Sequence, residues 1–492
     1  MLVDALLETA TRYGGSPAVA DQARRWSYRQ LTAVAIAMQR IIAGGTSCDR
    51  VGILLPASTA FPATLFGALW ALRTAVPLNF LLSAGELRQI VLDAGIDTVF
   101  SVHHFEELVR QLPVRSVFLE DLPLRRRVLL ARLRRRPEAP KVRASDTAVL
   151  LYTSGTSGAP KGVELSYGNL RDNCEACIEA ARMDRNQTFL NILPPFHAFG
   201  LTTMVLTPVV LGAAVYAIPR FNPAATLEAI REQKISIVMA VPSMYAAMLR
   251  KRSVPDEALA SIYLAISGGE VLPEAVAEAF EKRFGVKLHQ GYGLTETSPV
   301  VSLCAPHAYR RGSVGRVIPG FECRIVDARG TVLPAGQDGE VQVRGPCVMK
   351  GYYQRPEETA AVIDADGWLH TGDIGKLDAD GYLFITGRKK EMMIVGGENV
   401  SPGEIENVLV EHPAVAEAAV IGVPDASRGE VPVAFVTLSA GAQVEAVSER
   451  DLRNFARRHL AGHKVPHKIR IAHDLPRGPT GKVLKRRLTE LL

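Results

Sequence analysis

The chain has 492 residues, too many for one ordinary domain and enough to bury a large core. Hydrophobic residues make up 47% of it and charged residues 22%, as in an ordinary soluble globular protein. The net charge of +6 is modest for this length and does not indicate nucleic-acid binding, so we predict no nucleic-acid partner.

Six cysteines are too few and too scattered to form a disulfide scaffold, which favours a reducing cytosol. Cys174 and Cys177 have the spacing of a zinc-binding pair, but no second pair and no nearby histidine accompany them. We therefore interpret them as small buried residues on a helix.

Helical patterns alternate with short β-rich runs through most of the chain. Alternation of this kind predicts a largely parallel sheet that is covered by helices on both faces. The clearest predicted strands lie at 51–55, 148–152, 235–239 and 261–266.

A basic stretch at 122–136 has an amphipathic pattern. Leu124, Val128, Leu129 and Leu133 are spaced for one helical face, and seven arginines surround them. A surface helix without a partner is the simplest interpretation. Contact with a membrane surface and docking of an acidic protein are the alternatives, because both would use exposed arginines.

Neither export nor membrane insertion is indicated. The N-terminal segment carries Asp4 and Glu8, where a secretory signal would need basic residues. Residues 201–219 contain no charge, but Pro208 and Gly212 interrupt them, so we predict a buried helix followed by a buried strand. We predict a cytoplasmic protein, with peripheral contact of the basic stretch at the inner face of the membrane left open.

The pattern changes near residue 310. Glycine-punctuated strand pairs begin there, with predicted strands at 321–326 and 339–344. Short strands separated by glycine-containing turns indicate a small β subdomain.

A domain boundary is predicted near the Gly-Arg-Lys-Lys run at 387–390, after which a shorter α+β pattern follows. We predict an N-terminal domain at 1–388 and a C-terminal domain at 389–492. The C-terminal domain is acidic at first and basic from 450 onward. Such a basic segment suits phosphate or an acidic partner, and a solvated basic face is the alternative.

The stretch LYTSGTSGAPKGV at 151–163 has the composition of a loop that holds a phosphate chain. Its glycines let the backbone turn tightly, and its hydroxyls and Lys161 add donors and a positive charge. Lys161 follows Pro160 and precedes Gly162, so this is not a P-loop. A plain turn between a strand and a helix is the alternative. The predicted phosphate contacts are Thr153, Ser154, Gly155, Thr156, Ser157, Gly158 and Lys161.

Six further motifs follow this loop along the chain. They are LPPFHAFG at 193–200, ISGGEVLP at 266–273, GYGLTETSP at 291–299, WLHTGDIG at 368–375, GYLFITGRKKEMMIVGGENVSPGEIE at 381–406 and PRGPTGK at 476–482. In this order the seven motifs resemble those of adenylate-forming enzymes, the superfamily of acyl-CoA synthetases, luciferase and adenylation domains. The resemblance implies an α/β fold: a large N-terminal domain of two α/β sheet subdomains and a small β subdomain, with a smaller mobile C-terminal α+β domain.

The resemblance also implies a reaction in two halves. A carboxylate attacks the α-phosphorus of ATP to give an acyl-adenylate and pyrophosphate, and a thiol then displaces AMP. By resemblance, the ring of Tyr292 lies on adenine, Thr295 meets the α-phosphate and Glu296 binds Mg²⁺, for which a hard carboxylate is suited. The run expected to approach adenine closely is Gly268, Gly269 and Glu270, where the family usually has a small residue at the last position.

Asp373 resembles the family's aspartate that accepts both ribose hydroxyls, and Arg388 is expected to help hold the ribose. Lys482 matches the catalytic lysine, whose ammonium can bridge the substrate carboxylate and the α-phosphate. Because Lys482 lies in the other predicted domain, the resemblance implies a rotation of that domain, hinged at Lys390. The rotation would withdraw Lys482 and bring the face at 396–399 to the thiol.

The residues next to His197 in the sequence indicate which class of acid the enzyme would activate. Adenylation domains for amino acids usually place an aspartate near this position, whereas no carboxylate stands in PFHAFG. We interpret His197 as a residue that gates or orients the acyl group, with a packed aromatic residue as the alternative. Apolar residues around it favour a hydrophobic acid: Phe196, Phe199, Leu201, Met204, Val205, Val300 and Val301.

The segment GGENVSPGEIE looks most like fatty acyl-CoA synthetases and their relatives that load acyl carrier proteins. It implies a medium- or long-chain fatty acid, or a similarly apolar acid, with coenzyme A as the thiol. The phosphopantetheine of an acidic acyl carrier protein is the alternative, attracted by the basic stretches at 122–136 and 450–492. A degenerate nucleotide-binding scaffold is disfavoured because the charged residues expected at the site are all present: Lys161, Glu296, Asp373, Arg388 and Lys482.

Overall fold

Helices begin where the sequence supplies caps. The computed structural model describes residues 1–133, 137–154, 160–251, 254–425, 427–439, 447–477 and 483–492. Ser27, Ser83 and Ser166 each accept a hydrogen bond from the backbone N–H three residues on, which starts a helix at the next residue. The helices are α1 Leu2–Arg12, α2 Tyr28–Gly45, α3 Ala60–Trp70, α4 Ala84–Asp93, α5 Glu106–Val109, α6 Leu124–Leu133, α7 Tyr167–Ala180, α8 Thr207–Leu211, α9 Pro223–Glu232, α10 Pro242–Leu249, α11 Glu274–Phe284, α12 Pro356–Ala360, α13 Pro402–Val410, α14 Glu449–His459 and α15 Lys485–Leu488.

The predicted strands are present among those that the structure shows. The strands are β1 Pro17–Ala20, β2 Arg25–Ser27, β3 Arg50–Leu54, β4 Thr74–Pro77, β5 Thr98–Ser101, β6 Arg115–Phe118, β7 Thr147–Ser154, β8 Pro160–Ser166, β9 Thr188–Asn191, β10 Ala214–Ala217, β11 Ile237–Ala240, β12 Leu264–Ser267, β13 Leu288–Gly293, β14 Val300–Leu303, β15 Arg316–Val317, β16 Glu322–Val326, β17 Gly339–Arg344, β18 Gly351–Tyr352, β19 Leu369–Leu377, β20 Leu383–Arg388, β21 Met393–Val395, β22 Glu398–Val400, β23 Val415–Asp425, β24 Gly429–Leu438 and β25 Lys468–Ile471.

Two large sheets carry helices between most of their strands. The first has the order β15-β14-β13-β12-β11-β9-β10-β1-β2, and the second has the order β18-β8-β7-β4-β3-β5-β6. The strands from β10 to β13 in the first sheet pair in parallel, as do β6, β5, β3, β4 and β7 in the second. The prediction of largely parallel α/β sheets is confirmed.

Two smaller sheets complete the fold. The antiparallel sheet β16-β17-β19-β20 is the predicted β subdomain. After the turn Lys389–Glu391, the last sheet has the order β22-β21-β24-β23, with β25 also paired to β24. Its core includes Ile405, Val420, Val436 and Leu452, which come from α13, β23, β24 and α14. A large N-terminal part and a smaller α+β part are therefore present, while the boundary after residue 388 stays a prediction.

The uncharged segment 201–219 forms a buried helix followed by a strand, as predicted. A π-helix, Phe199–Leu206, continues directly into α8, and Gly212 ends the helix with a φ of 82° before β10 begins. Among the residues that the structure describes, no helix is long and apolar enough to cross a membrane.

The basic stretch forms α6, but its apolar residues do not share one face. Val128 is half-buried and Ala131 is buried where α6 packs on α2, whereas Leu129 is 57% exposed and Leu130 is 38% exposed. The prediction that Leu129 shares one face with Val128 is wrong, because successive helical residues are about 100° apart, and Leu129 is exposed where Val128 is half-buried. The side chain of Leu133 and residues 134–136 lie outside the described part of the chain.

Candidate active site

Two loops begin at the carboxyl ends of the neighbouring parallel strands β12 and β13. One continues from Ser267 as Gly268, Gly269 and then Glu270, and the other starts after Gly293. Gly269 has a φ of 84°, a backbone angle that residues with a side chain rarely adopt. At Gly268 an added Cβ would lie 3.2 Å from the Phe199 ring. Ligands of parallel α/β sheets bind at this edge, so the two loops define a candidate nucleotide site.

Tyr292, Asp373 and Arg388 form a hydrogen-bonded cluster beside the second loop. Tyr292 OH donates to Asp373 Oδ2 at 2.6 Å, and Arg388 Nε lies 2.8 Å from Asp373 Oδ1. The register of β19 and β20 places Asp373 opposite Arg388. Burial and the negative charge of Asp373 raise the pKa of the Tyr292 phenol, so the phenol stays protonated and donates. The residues predicted to bind adenine and ribose are thus brought together.

Buried polar side chains fix the turn at 295–300. Asn173 of α7 donates from Nδ2 to Val300 O at 2.8 Å, and Thr202 of the π-helix donates from Oγ1 to Ser298 O at 2.8 Å. Both donors are fully buried, where an unpaired polar group would be costly. The turn that carries the predicted phosphate and metal contacts is therefore held from two helices.

Glu296 and Lys161 are connected through Tyr352, a residue outside the seven motifs. Thr295 and Glu296 are both half-buried at the start of the turn. Glu296 Oε1 accepts a hydrogen bond from Tyr352 OH at 2.9 Å, and Lys161 Nζ lies 5.2 Å from the centre of the Tyr352 ring. Lys161 also forms an ion pair with Glu358 of α12. The predicted metal ligand and the predicted phosphate lysine therefore flank one tyrosine.

The predicted phosphate loop joins two antiparallel strands, β7 and β8, rather than a strand and a helix. Thr153 pairs with Lys161 and Ser154 with Pro160 across these strands. The alternative of a plain strand-to-helix turn is therefore wrong. Among the predicted phosphate contacts, those outside the described part of the chain are Gly155, Thr156, Ser157 and Gly158, together with the side chain of Ser154.

An apolar cavity opens beside Tyr292 and reaches α7. The space within it, including solvent at its open mouth, is about 540 Å³. Tyr292 belongs both to this cavity and to the cluster around Asp373, so the cavity leads directly to the candidate nucleotide site. No charged side chain lines it within the described residues. The lining consists of Cys177, Met183, Phe199, Thr203, Met239, Ile266, Gly268, Gly269, Gly291, Tyr292, Gly293, Pro299, Val300 and Leu303.

The two cysteines with zinc-like spacing are packing residues. Cys174 and Cys177 lie on α7, and both are buried. Burial raises the pKa of each thiol, so both stay protonated and are poor metal ligands. Their interpretation as small buried residues on a helix is confirmed.

The apolar residues whose presence favoured a hydrophobic acid do not all line one cavity. Phe199 and Val300 line the cavity beside Tyr292, whereas Met204 and Val205 line a separate small cavity next to α2 and β1. Met204 and Val205 therefore do not line the cavity beside Tyr292. The remaining residues of that set are buried in the core or against it: Phe196, Leu201 and Val301.

His197 lies just before the π-helix and packs on an aromatic cluster. Its ring centre is 4.7 Å from that of Phe196, and Phe196 in turn lies 4.9 Å from Phe80, edge to face. His197 does not belong to the lining of the apolar cavity formed by the described residues. The packed-aromatic interpretation accounts for these contacts, and the gating role stays a prediction.

Comparison with known proteins adds a decisive match to this geometry. Residues 6–353 match the family of AMP-binding enzymes, and residues 404–482 match the C-terminal domain of the AMP-binding enzymes. The chain belongs to the AMP-binding enzymes.

Curated relatives and a solved structure cover nearly the whole of this AMP-binding enzyme. A feruloyl-CoA synthase from an Amycolatopsis species is 36% identical over 97% of this chain and 94% of that protein. The long-chain-fatty-acid–CoA ligase of Bacillus subtilis is 33% identical over 99% of this chain and 93% of that protein. The o-succinylbenzoate coenzyme A synthetase of Bacillus subtilis, in complex with ATP and a magnesium ion, is 28% identical, with a TM-score of 0.85 and 99% of both chains covered. The protein is an AMP-forming acid–thiol ligase.

The predicted hinge residue of this AMP-binding enzyme, Lys390, lies in the short turn after β20. Its neighbour Lys389 pairs with Glu340 of the small sheet, with 3.0 Å between Nζ and Oε2. The segment at 396–399, predicted to face the thiol, begins at the tip of the β21–β22 hairpin. The hinge and the thiol contact both stay predictions.

Lys482 lies outside the described residues. Arg477 precedes it and Val483 follows it, and these two residues pair in an isolated antiparallel β-bridge. Beyond the bridge, Lys485 Nζ lies 2.8 Å from Glu391 Oε2, next to the predicted hinge. The catalytic role of Lys482 stays a prediction.

Several residues that shape the site of this AMP-binding enzyme escaped the sequence motifs. Thr202 is a polar residue in an apolar run, which is a usable signal for such contacts, whereas Asn173 stands among charged residues of α7 and has no such signal. Tyr352 and Glu358 stand between two motifs, in the run GYYQRPEET. Only the pairing of β18 with β8 brings them to Lys161, and no local pattern encodes that pairing.

Proposed function

We propose that the enzyme couples a hydrophobic carboxylic acid to AMP with release of pyrophosphate, and then transfers the acyl group to the thiol of coenzyme A. The proposal rests on Tyr292, which belongs both to the polar cluster and to the lining of the cavity. Its hydroxyl belongs to the polar cluster with Asp373 and Arg388, and its ring lines the apolar cavity. An acid in the cavity would therefore lie next to a nucleotide on the cluster, and the reaction requires its carboxylate to be held at the α-phosphorus, which we assign to Thr295.

The nucleotide would be ATP, as in the related synthetase solved with ATP and magnesium. We assign the Tyr292 ring to adenine, the Asp373 carboxylate to the ribose hydroxyls and Lys161, with its loop, to the phosphates. Each oxygen of Asp373 accepts one hydrogen bond from the protein, and a carboxylate oxygen can accept more than one. The ribose hydroxyls can therefore donate to Asp373 without displacing Arg388.

A magnesium ion would be held by Glu296, whose half-buried carboxylate is the hard oxygen donor that this ion prefers. When bound, the ion neutralises negative charge on the phosphates. The hydrogen bond from Tyr352, 2.9 Å long, orients the carboxylate, and we assign the preceding Thr295 to the α-phosphate.

The cavity supports an acid with an uncharged, apolar tail, such as a medium- or long-chain fatty acid. A second carboxylate or an ammonium group on the substrate would be buried there without an opposite charge among the described lining residues, which is unfavourable. Two of the relatives are named for a long-chain fatty acid and for ferulate, acids with largely apolar bodies. The solved relative is named for o-succinylbenzoate, which has two carboxylates, so the expectation of an uncharged tail rests on the cavity lining and not on these names.

A panel of acids tests this proposal through acid-dependent exchange of pyrophosphate into ATP. We expect exchange with hydrophobic acids, among octanoate, palmitate and ferulate, and none with glycine or succinate. Replacing Val300, which lines the cavity, by tryptophan should reduce exchange with the largest accepted acid by about tenfold more than with the smallest. Binding of ATP without exchange for any acid would instead favour a nucleotide-binding scaffold.

The second half-reaction would use the C-terminal domain. We propose that this domain rotates about Lys390 after adenylation, withdraws Lys482 and brings the segment at 396–399 to the thiol. Coenzyme A is the proposed acceptor, as the names of the curated relatives suggest. Offering purified acyl-adenylate with either coenzyme A or a phosphopantetheinylated acyl carrier protein separates the two acceptors.

We also propose that α6 contacts anionic membrane surfaces. Leu129 is 57% exposed and Leu130 38% exposed, and the exposed Arg125 and Arg126 lie on the same helix. Exposed leucines that are flanked by arginines can insert between lipid chains while the guanidinium groups meet the headgroups. A lipid surface would also supply an apolar acid.

The contact predicts co-sedimentation with vesicles containing phosphatidylglycerol that is lost in high salt. Replacing Leu129 by aspartate should weaken this binding by about tenfold, since it removes apolar area and adds a repelled charge. The same change at Leu92, a leucine of α4 that is 62% exposed, serves as the control. Equal binding to neutral vesicles, or binding to an acyl carrier protein alone, would contradict the proposal.

A further inference from the structure

Lys161 is bound by a carboxylate at the position where a phosphate is expected. Its ammonium forms an ion pair with Glu358 and lies over the Tyr352 ring, and only 19% of the side chain is exposed. One carboxylate therefore already occupies part of the ammonium, which has three N–H donors. A phosphate that reaches Lys161 must therefore replace Glu358 or share the ammonium with it.

Glu358 is held in place from its other side. Arg355 Nη1 lies 3.2 Å from Glu358 Oε1, and Arg355 Nη2 lies 3.6 Å from Asp93 Oδ1. Tyr152 OH donates to the other oxygen of Asp93 at 2.6 Å, and Tyr152 belongs to β7, the strand that leads into the phosphate loop. The hydrogen bond with Lys161 lowers the pKa of Glu358, so the carboxylate is charged at neutral pH.

We propose that Glu358 occupies Lys161 in the absence of nucleotide and competes with the phosphates of ATP for it. This inference rests on the proposed role of Lys161 in binding phosphates. Displacement has two costs, because one ion pair is broken and a carboxylate is left facing a polyanion. Glu358 is thus a positioning residue that weakens binding of the triphosphate and of pyrophosphate.

Competition between Glu358 and the phosphates for Lys161 would help the enzyme to release pyrophosphate. Pyrophosphate is released after the first half-reaction, and it must leave Lys161 before the next ATP can bind. A carboxylate that recaptures Lys161 lowers the barrier to this release, because the ammonium exchanges one anion for another instead of becoming solvated. AMP lacks the β- and γ-phosphates and should be insensitive to Glu358.

The test compares the variants E358Q and E357Q with the wild type in calorimetric titrations with magnesium ATP, pyrophosphate and AMP. Glu357 is an exposed neighbour on the same helix, so E357Q removes the same charge from α12 without removing the partner of Lys161. We expect E358Q to bind ATP and pyrophosphate about three- to tenfold more tightly, as for the loss of one partly exposed competing ion pair. AMP binding should change by less than about twofold in both variants.

Three results would overturn the inference: weaker ATP binding by E358Q, unchanged ATP binding, or an equal gain for AMP and ATP. An equal gain in E357Q would likewise show that only the net charge matters. The unfolding temperature of each variant shows whether it is folded, and E358A provides a second variant if E358Q is unstable. The titrations contain no acid, so failure of acid-dependent pyrophosphate exchange contradicts the proposed function without deciding the role of Glu358.

Discussion

Replacing Lys482 by alanine is expected to lower acid-dependent pyrophosphate exchange by about a thousandfold, in line with removal of a charged group that stabilises a transition state. Two anions, the substrate carboxylate and the α-phosphate, must approach each other in this step. A lysine ammonium between them offsets their repulsion, and no water molecule can do the same. Thioester formation from supplied acyl-adenylate and coenzyme A should be retained, since the adenylate is already formed and Lys482 is proposed to be withdrawn.

Measuring both half-reactions separately makes this result specific. Lys468 is an exposed lysine of β25 in the same domain, so K468A removes an equal charge as a control and should affect neither half. Equal loss of both half-reactions in K482A would contradict the assignment, because it would indicate a general defect of the C-terminal domain.

The sheets could be predicted because their information is local. Strand β11 overlaps the predicted strand at 235–239, and β12 ends where glycines begin, so the apolar run and the turn residues define them. The pair of segments around Gly212 was also predictable, since a proline and a glycine interrupt an uncharged run. Which strands neighbour one another depends on the tertiary fold, and the orders of the two large sheets were not predicted.

Residues of the candidate site could be predicted only where they belong to one of the seven motifs. Asp373 and Arg388 lie in different motifs, and the resemblance anticipated their shared ligand, although only the β19–β20 register places them opposite each other. The contacts of Glu358 with Lys161 and of Tyr352 with Glu296 join residues far apart in sequence, so no spacing rule indicates them.

The cavity illustrates a second limit. Apolar residues around His197 favour a hydrophobic acid, but a helix distributes consecutive residues around its axis, so they do not all face one cavity. Phe199 and Thr203 line the cavity, while Met204 and Val205 line another. The π-helix is buried from Gly200 to Leu206, so its sequence is mainly apolar throughout. Composition alone therefore cannot distinguish a residue that lines the cavity from a residue of the core.

Replacing Asp373 by asparagine is expected to raise the KM for ATP by about a hundredfold, which corresponds to the loss of about two charge-assisted hydrogen bonds. Asp373 is 2% exposed and accepts from Tyr292 OH and from Arg388. Asparagine keeps one acceptor oxygen but turns an amide donor toward groups that also donate. The ribose hydroxyls would then lose the carboxylate that is proposed to accept them.

Comparison of ATP with 2′-deoxy-ATP separates ribose recognition from a general disturbance. The wild type should prefer ATP, since the deoxynucleotide lacks a hydroxyl that is proposed to donate to Asp373, and D373N should lose most of that preference. The variant Y292F keeps the ring and removes only the donor to Asp373, so its KM for ATP should rise by less than about tenfold. If D373N retained the wild-type ratio between the two nucleotides, Asp373 would serve only to hold Tyr292 and Arg388, and the ribose would have to be recognised elsewhere.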